Sequence, residues 1–287
     1  MKRIITTILV LSMTLSIFSG CGSKKQTDVT SALKSNTTET IVTKKEEPLT
    51  IAPGTELSDF MSKYTDTKTQ VWDQMSKKFD EENNITFAMG ALGFAFADLA
   101  LVDILLFDAL TVQDGDIFKG KLMFSGVDAW KKVKGDIIEF GYDYTYLEDK
   151  EESKSGDRIV AKGKLEKSNS SLIYESSTEQ SGKVINKHII EITRNSDTSY
   201  SSQCYFLDLN SGDGEVKIHV TGYLTWFDGK DIISYLVEKD IPDINFTYNT
   251  IFSKKDIKPE QMANGSIVTM KTSYIDGKAI YEQLENN

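Results

Sequence analysis

The sequence predicts an α+β fold, with N-terminal helices, one of them apolar and buried, packed on a large antiparallel β-sheet of hairpins. Three observations lead there. Apolar residues recur at helical spacing before residue 112, alternating runs divided by glycines fill the rest, and no helical pattern interrupts those runs.

The chain of 287 residues opens with Lys2-Arg3, a predominantly apolar stretch from Ile4 to Phe18, and Ser19-Gly20-Cys21. A positive n-region, an apolar h-region and small residues before a cut make a secretory signal peptide. The stretch is short for a bilayer span, which needs ~20 apolar residues. Phe18-Ser19-Gly20-Cys21 resembles the lipobox of bacterial lipoproteins, with phenylalanine where leucine is usual. That resemblance implies cleavage before Cys21, lipidation of its sulfur by acyl chains such as palmitate, and residence on the extracytoplasmic face of the cell membrane.

Residues 1–20 are therefore the leader, 21–55 the lipidated cysteine and a tether, and 56–287 a single domain, helical over 56–112 and β-rich over 113–287. Ser, Thr, Lys, Asn and Glu dominate the tether, which buries too little apolar area to offset its ordering entropy. As a flexible coil it spans ~30–35 Å, and fully stretched ~115 Å. The domain is expected to stay near the membrane.

Leu57, Phe60, Met61 and Tyr64 follow helical spacing, and Val71, Trp72, Met75 and Phe79 repeat it. Asn83-Asn84 ends that second amphipathic helix. Ile85 to Leu110 is almost wholly apolar apart from Asp98, Asp103 and Asp108. A spanning helix fails on magnitude, because each central Asp costs ~2.5–3.5 kcal/mol to insert. A helix or broken helix pair buried against the sheet is expected instead. Steps of five rotate by ~140°, so the three aspartates cannot share one exposed face. Either the helix breaks near one, which then serves as an N-cap, or a carboxylate is buried and needs a partner. Asp98, Asp103 and Asp108 are candidate buried acids.

The runs Ile117–Phe124, Ile137–Leu147, Arg158–Lys167, Leu172–Ser177, Lys183–Thr193, Ser199–Leu209, Glu215–Phe227 and Ile267–Tyr274 read as strands. Asp228-Gly229 and Asp276-Gly277 carry the residue pair of tight hairpins. Tyr142, Tyr144 and Tyr146 share one parity and line one face of a strand, and Trp226 shares a face with Ile218, Val220 and Leu224. These four are candidate ligand-binding residues. Such aromatic faces are also what an antiparallel core looks like.

Composition narrows the partners. The formal net charge is −10, which argues against nucleic acid and against docking on anionic lipid through a basic face. The membrane is expected to be met through the lipid anchor. With Cys21 lipidated, Cys204 has no cysteine partner and reads as a small buried apolar residue. Neither His188 nor His219 belongs to a metal-ligand spacing. Asp208 to Gly214 has its glycine in the wrong place for a calcium loop. No nucleophile elbow, phosphate loop or dinucleotide fingerprint occurs. No metal and no cofactor is expected.

The reading is a membrane-anchored lipoprotein whose domain binds or scaffolds without catalysis, for an amphiphilic, glycan or protein ligand. A cell-envelope hydrolase using paired carboxylates is the alternative. A membrane-active or pore-forming protein comes third.

Overall fold

A computed structural model of the chain describes residues 56–82, 85–113, 117–122, 125–149, 154–209, 218–242, 246–263 and 266–284. The expected leader, Cys21 and the expected tether lie outside the described residues, as does most of the segment from Asp208 to Gly214.

The helical elements come first: α1 (Glu56–Glu82), α2 (Ile85–Phe96), a 3-10 turn (Leu99–Leu101) and α3 (Val102–Gln113). Leu57, Met61, Tyr64, Val71 and Met75 are all buried, so the two amphipathic segments expected before Asn83 are one continuous helix. The apolar segment is a broken pair, as its aspartates suggested. The break falls at Asp98, which occupies the N-cap position of the 3-10 turn but makes no side-chain cap hydrogen bond. Among the described residues, no helix is long and apolar enough to cross a membrane.

Eleven strands follow, β1 (Ile117–Leu122), β2 (Ser125–Lys134), β3 (Ile137–Tyr146), β4 (Arg158–Glu166), β5 (Ser171–Gln180), β6 (Lys183–Ser196), β7 (Ser199–Asp208), β8 (Ile218–Asp228), β9 (Ile232–Ile241), β10 (Val268–Ile275) and β11 (Lys278–Gln283). A short helix, α4 (Pro259–Ala263), lies between β9 and β10. The strands form one sheet in the order β1 to β11, each antiparallel to its sequence neighbour. The antiparallel sheet of hairpins is therefore present as a single meander. Eight expected runs match strands. β2, β9 and β11 went unread.

Turn chemistry sets this register. Ser181 and Gly182 link β5 to β6, and Asp276 and Gly277 link β10 to β11, all four with positive φ. Two successive left-handed residues make the type I′ turn, whose twist matches a hairpin.

Each face of the sheet carries its own core. On the inner face, Ala129, Ile138, Tyr142, Leu165, Tyr174, Ile190 and Tyr200 join one cluster with Leu57, Tyr64, Phe94, Ile104 and Phe107. On the outer face, Ile189, Leu207, Val220, Leu224 and Val237 cluster with Ile251 and Met262 from residues 246–263, a strap over β6 to β9. The outer face of β1 to β4 lies beyond that second cluster.

Candidate functional site

The inner face takes up three of the four aromatic candidates. Tyr142 is 3% exposed and stacks on Phe107 of α3, with ring centroids 3.9 Å apart. Its hydroxyl donates to Asp103 Oδ2 at 3.1 Å and lies 2.6 Å from the Tyr174 hydroxyl. The proton order is therefore Tyr174 to Tyr142 to Asp103. Burial pushes Asp103 above the usual carboxylate range, against the lowering effect of the Tyr142 bond. Burial also raises the Tyr174 hydroxyl to about 12. Tyr144 and Tyr146 are half-buried further along the same face and meet edge to face at 5.3 Å. The hollow beside Tyr142, lined by Leu57, Ile104 and Phe107, is about 10 Å³. That holds about one water.

The other two aspartates of the apolar segment meet lysines from distant elements. Asp98 accepts from Tyr64 Oη at 2.5 Å and pairs with Lys68. Lys68 also sits 4.9 Å from the Phe94 ring centroid. Asp108 pairs with Lys131 of β2 at 2.8 Å, both side chains buried. Cys204 is buried, and that burial raises its thiol well above the ordinary value. A thiol held neutral is a poor nucleophile.

Trp226 lies on the opposite face. Its ring is covered by the Lys258 ammonium of the strap, 3.0 Å from the centroid, and its buried indole N–H has no partner among the described residues. The structure does not bring Trp226 together with the tyrosines.

Space opens instead on the outer face of β2 to β4. Because side chains alternate, residues in register with Trp130 share its face. One row runs Ile117, Trp130, Gly141, Lys162 and Glu175, and the next runs Lys119, Asp128, Asp143 and Val160. A Cβ at Gly141 would lie 2.9 Å from the Trp130 ring and 2.8 Å from the Ala161 carbonyl oxygen. Only glycine lets the indole lie down on the sheet here. Around it opens a groove of about 810 Å³, lined by Ile117, Lys119, Asp128, Trp130, Lys132 and Lys162 among others. Binding sites for small molecules span ~300–1,000 Å³.

No protein-family model matches the chain, and no curated protein or solved structure matches it either. The groove's chemistry must speak for itself.

It offers an aromatic plate, an apolar floor and charges of both signs. Lys119 pairs with Asp128 at 2.5 Å, and Asp143 with Arg158 at 2.5 Å. Lys162 and Lys187 share Glu175, at 3.6 and 3.4 Å. Lys132 has no carboxylate partner among the described residues and lies 5.2 Å from the Trp130 centroid. Among the described residues no three His, Cys, Asp or Glu side chains form a group able to hold a metal ion. Sequence reasoning missed Trp130, Gly141 and these lysines. The available signal was the alternation Asp128-x-Trp130-x-Lys132, opposite a strand interrupted by Gly141.

Proposed function

We propose that the mature chain is a non-catalytic binding lipoprotein, anchored through Cys21 to the extracytoplasmic face of the membrane, and that its outer-face groove holds a sugar chain. In this reading the helices of residues 56–113 form a fixed layer on the inner face, with the apolar pair α2 and α3 buried against the sheet. The proximity of α2 to β8, β10 and β11, and of α3 to β1 and β2, supports that arrangement.

One contrast carries the choice of surface. The hollow beside Tyr142 holds about 10 Å³, while the groove at Trp130 offers about 810 Å³. An amphiphile would have to displace packed side chains to enter the inner face, which forfeits their burial. A sugar ring needs only a flat aromatic surface with hydrogen-bonding groups at its rim, and Trp130 with Lys119, Asp128 and Lys162 supplies both. Trp130→Ala is expected to abolish co-sedimentation with insoluble bacterial wall glycan while leaving the thermal melt cooperative. Unchanged sedimentation would remove the groove from the account. Radioactive palmitate incorporated by wild type but not by Cys21→Ser tests the anchor separately.

One observation favours the hydrolase reading. Asp128 and Asp143 stand opposite each other across β2 and β3 inside the groove, as paired carboxylates would. Each already lies against a cation, Asp128 against Lys119 and Asp143 against Arg158. Reducing ends released from wall glycan by wild type, and lost in Asp128→Asn, would favour hydrolysis over binding.

A further inference from the structure

Charge is distributed unevenly over this acidic chain. The formal net charge is −10, yet the outer face of β1 to β4 is basic. By strand parity it carries Lys119, Lys121, Lys132, Lys134, Arg158, Lys162 and Lys164 against Asp128, Glu139, Asp143 and Glu166. Pairing within the face leaves positive charge over. At the border with β5, Lys162 shares Glu175 with Lys187, and Arg158 reaches Glu179 as well as Asp143. Lys121 and Lys132 have no carboxylate partner among the described residues. Lys132 is held over the Trp130 ring, a weak contact at an exposed site and readily exchanged for a full anion.

We infer that the groove over Gly141 selects an acidic polysaccharide, one sugar ring stacking on Trp130 while its carboxylate or phosphate groups pair with Lys119, Lys132 and Lys162. The inference rests on the groove being the sugar-binding surface and adds the charge of the ligand to it. A polyanion approaching the molecule is repelled by the net negative charge and attracted by this face, so charge steers it to the aromatic plate. The lysines stand on β1, β2 and β4, three strands around the row that holds Trp130. That spread suits a chain with a charge on each sugar. A single terminal acid would need one cation.

The test uses the mature chain carrying Cys21→Ser, so that no acyl group contributes. Polygalacturonate and phosphorylated dextran are titrated against it, with methyl-esterified polygalacturonate and plain dextran as uncharged counterparts. The expected result is saturable quenching of tryptophan emission by both acidic polymers, at least tenfold tighter than by their neutral counterparts and weakening with salt. Lys132→Glu is expected to lower that affinity by about tenfold or more, the equivalent of ~1.4 kcal/mol, with an unchanged thermal melt. Trp130→Phe, which keeps an aromatic plate, is expected to retain more affinity than Trp130→Ala. Equal affinity for charged and neutral polymers would overturn the acidic selectivity and leave sugar binding in place. Absence of binding to all four would overturn both. Binding to phosphatidylglycerol vesicles without binding to any polysaccharide would overturn the inference in favour of a lipid surface.

Discussion

Gln203 Nε2 donates to Glu191 Oε2 at 2.6 Å across β6 and β7, and Glu191 is fully buried, with no ion-pair partner among the described residues. Three further donors come from the strap: Thr250 Oγ1 at 2.7 Å, the Ile251 amide at 2.7 Å and Tyr248 Oη at 3.2 Å. A carboxylate has about four acceptor positions, and here all are used. Glu191 is thus a polar anchor of residues 246–263 on the outer face, beside the apolar packing of Ile251 and Met262.

Glu191→Gln turns one acceptor into a donor aimed at other donors. It should cost about 2–3 kcal/mol, the scale of a buried group left unsatisfied. Urea unfolding measures the loss, and limited proteolysis should cut first within residues 246–263. Cleavage elsewhere first would mean that the other strap contacts hold it without Glu191.

The Lys68–Asp98 pair and the Tyr64 hydroxyl form one buried polar group. Asp98→Ala should cost about 3 kcal/mol, because it leaves the half-buried Lys68 ammonium only the Ala95 carbonyl oxygen and the Phe94 ring. The triple replacement Lys68→Met, Asp98→Leu, Tyr64→Phe should unfold near or above the wild-type urea midpoint, since charge and counter-charge leave together. A triple variant as unstable as the single one would contradict this.

Burial holds the His188 pKa below its ordinary value, with Phe206 packed edge-on at 4.7 Å. The unfolded chain binds a proton near pH ~6.5 while the folded chain binds it only at lower pH. The stability from the neutral ring is therefore present above pH ~6.5 and lost as pH falls through the depressed folded value. Wild type should lose more Tm between pH 8 and pH 5.5 than His188→Gln. Parallel losses would contradict the assignment.

Asp103 has the opposite sign. Burial raises its folded pKa, so its contribution is greatest below the unfolded value and lost as pH rises through the folded one. Asp103→Asn, which still accepts from Tyr142, should raise stability at pH 7. The advantage should shrink toward pH 4, as followed by urea midpoints across that range.

Gly141→Ala drives a methyl group into the Ala161 carbonyl oxygen and the Trp130 ring. Overpacking of this kind costs about 1–3 kcal/mol. The indole should lift from the sheet, shifting tryptophan emission to longer wavelength and weakening sugar binding with it.

The sheet was readable where the two-residue period stands alone. β3 alternates cleanly and has one covered face along most of its length. β9 has buried residues on both faces, Ile232 in the inner core and Val237 in the outer, so its alternation is blurred. β11 is a short edge strand whose Lys278-Ala279-Ile280 opening looks like loop. β2 was lost behind Gly126, which reads as a turn but sits in the ladder opposite Lys121 and Thr145. The aspartates of the apolar segment announced a buried acid, but their cations lie 30 and 23 residues away, at Lys68 and Lys131. The groove was hidden for a related reason. Trp130 and Gly141 become a site only once the register sets them side by side, and the net charge concealed a basic face.

Hydrogen–deuterium exchange of residues 21–287 carrying Cys21→Ser, with and without polygalacturonate, tests the choice of surface most directly. Slowed exchange in residues 117–166, with residues 85–113 unchanged, is the predicted result. Altered exchange confined to residues 85–113 would put the ligand against the inner face and contradict the account.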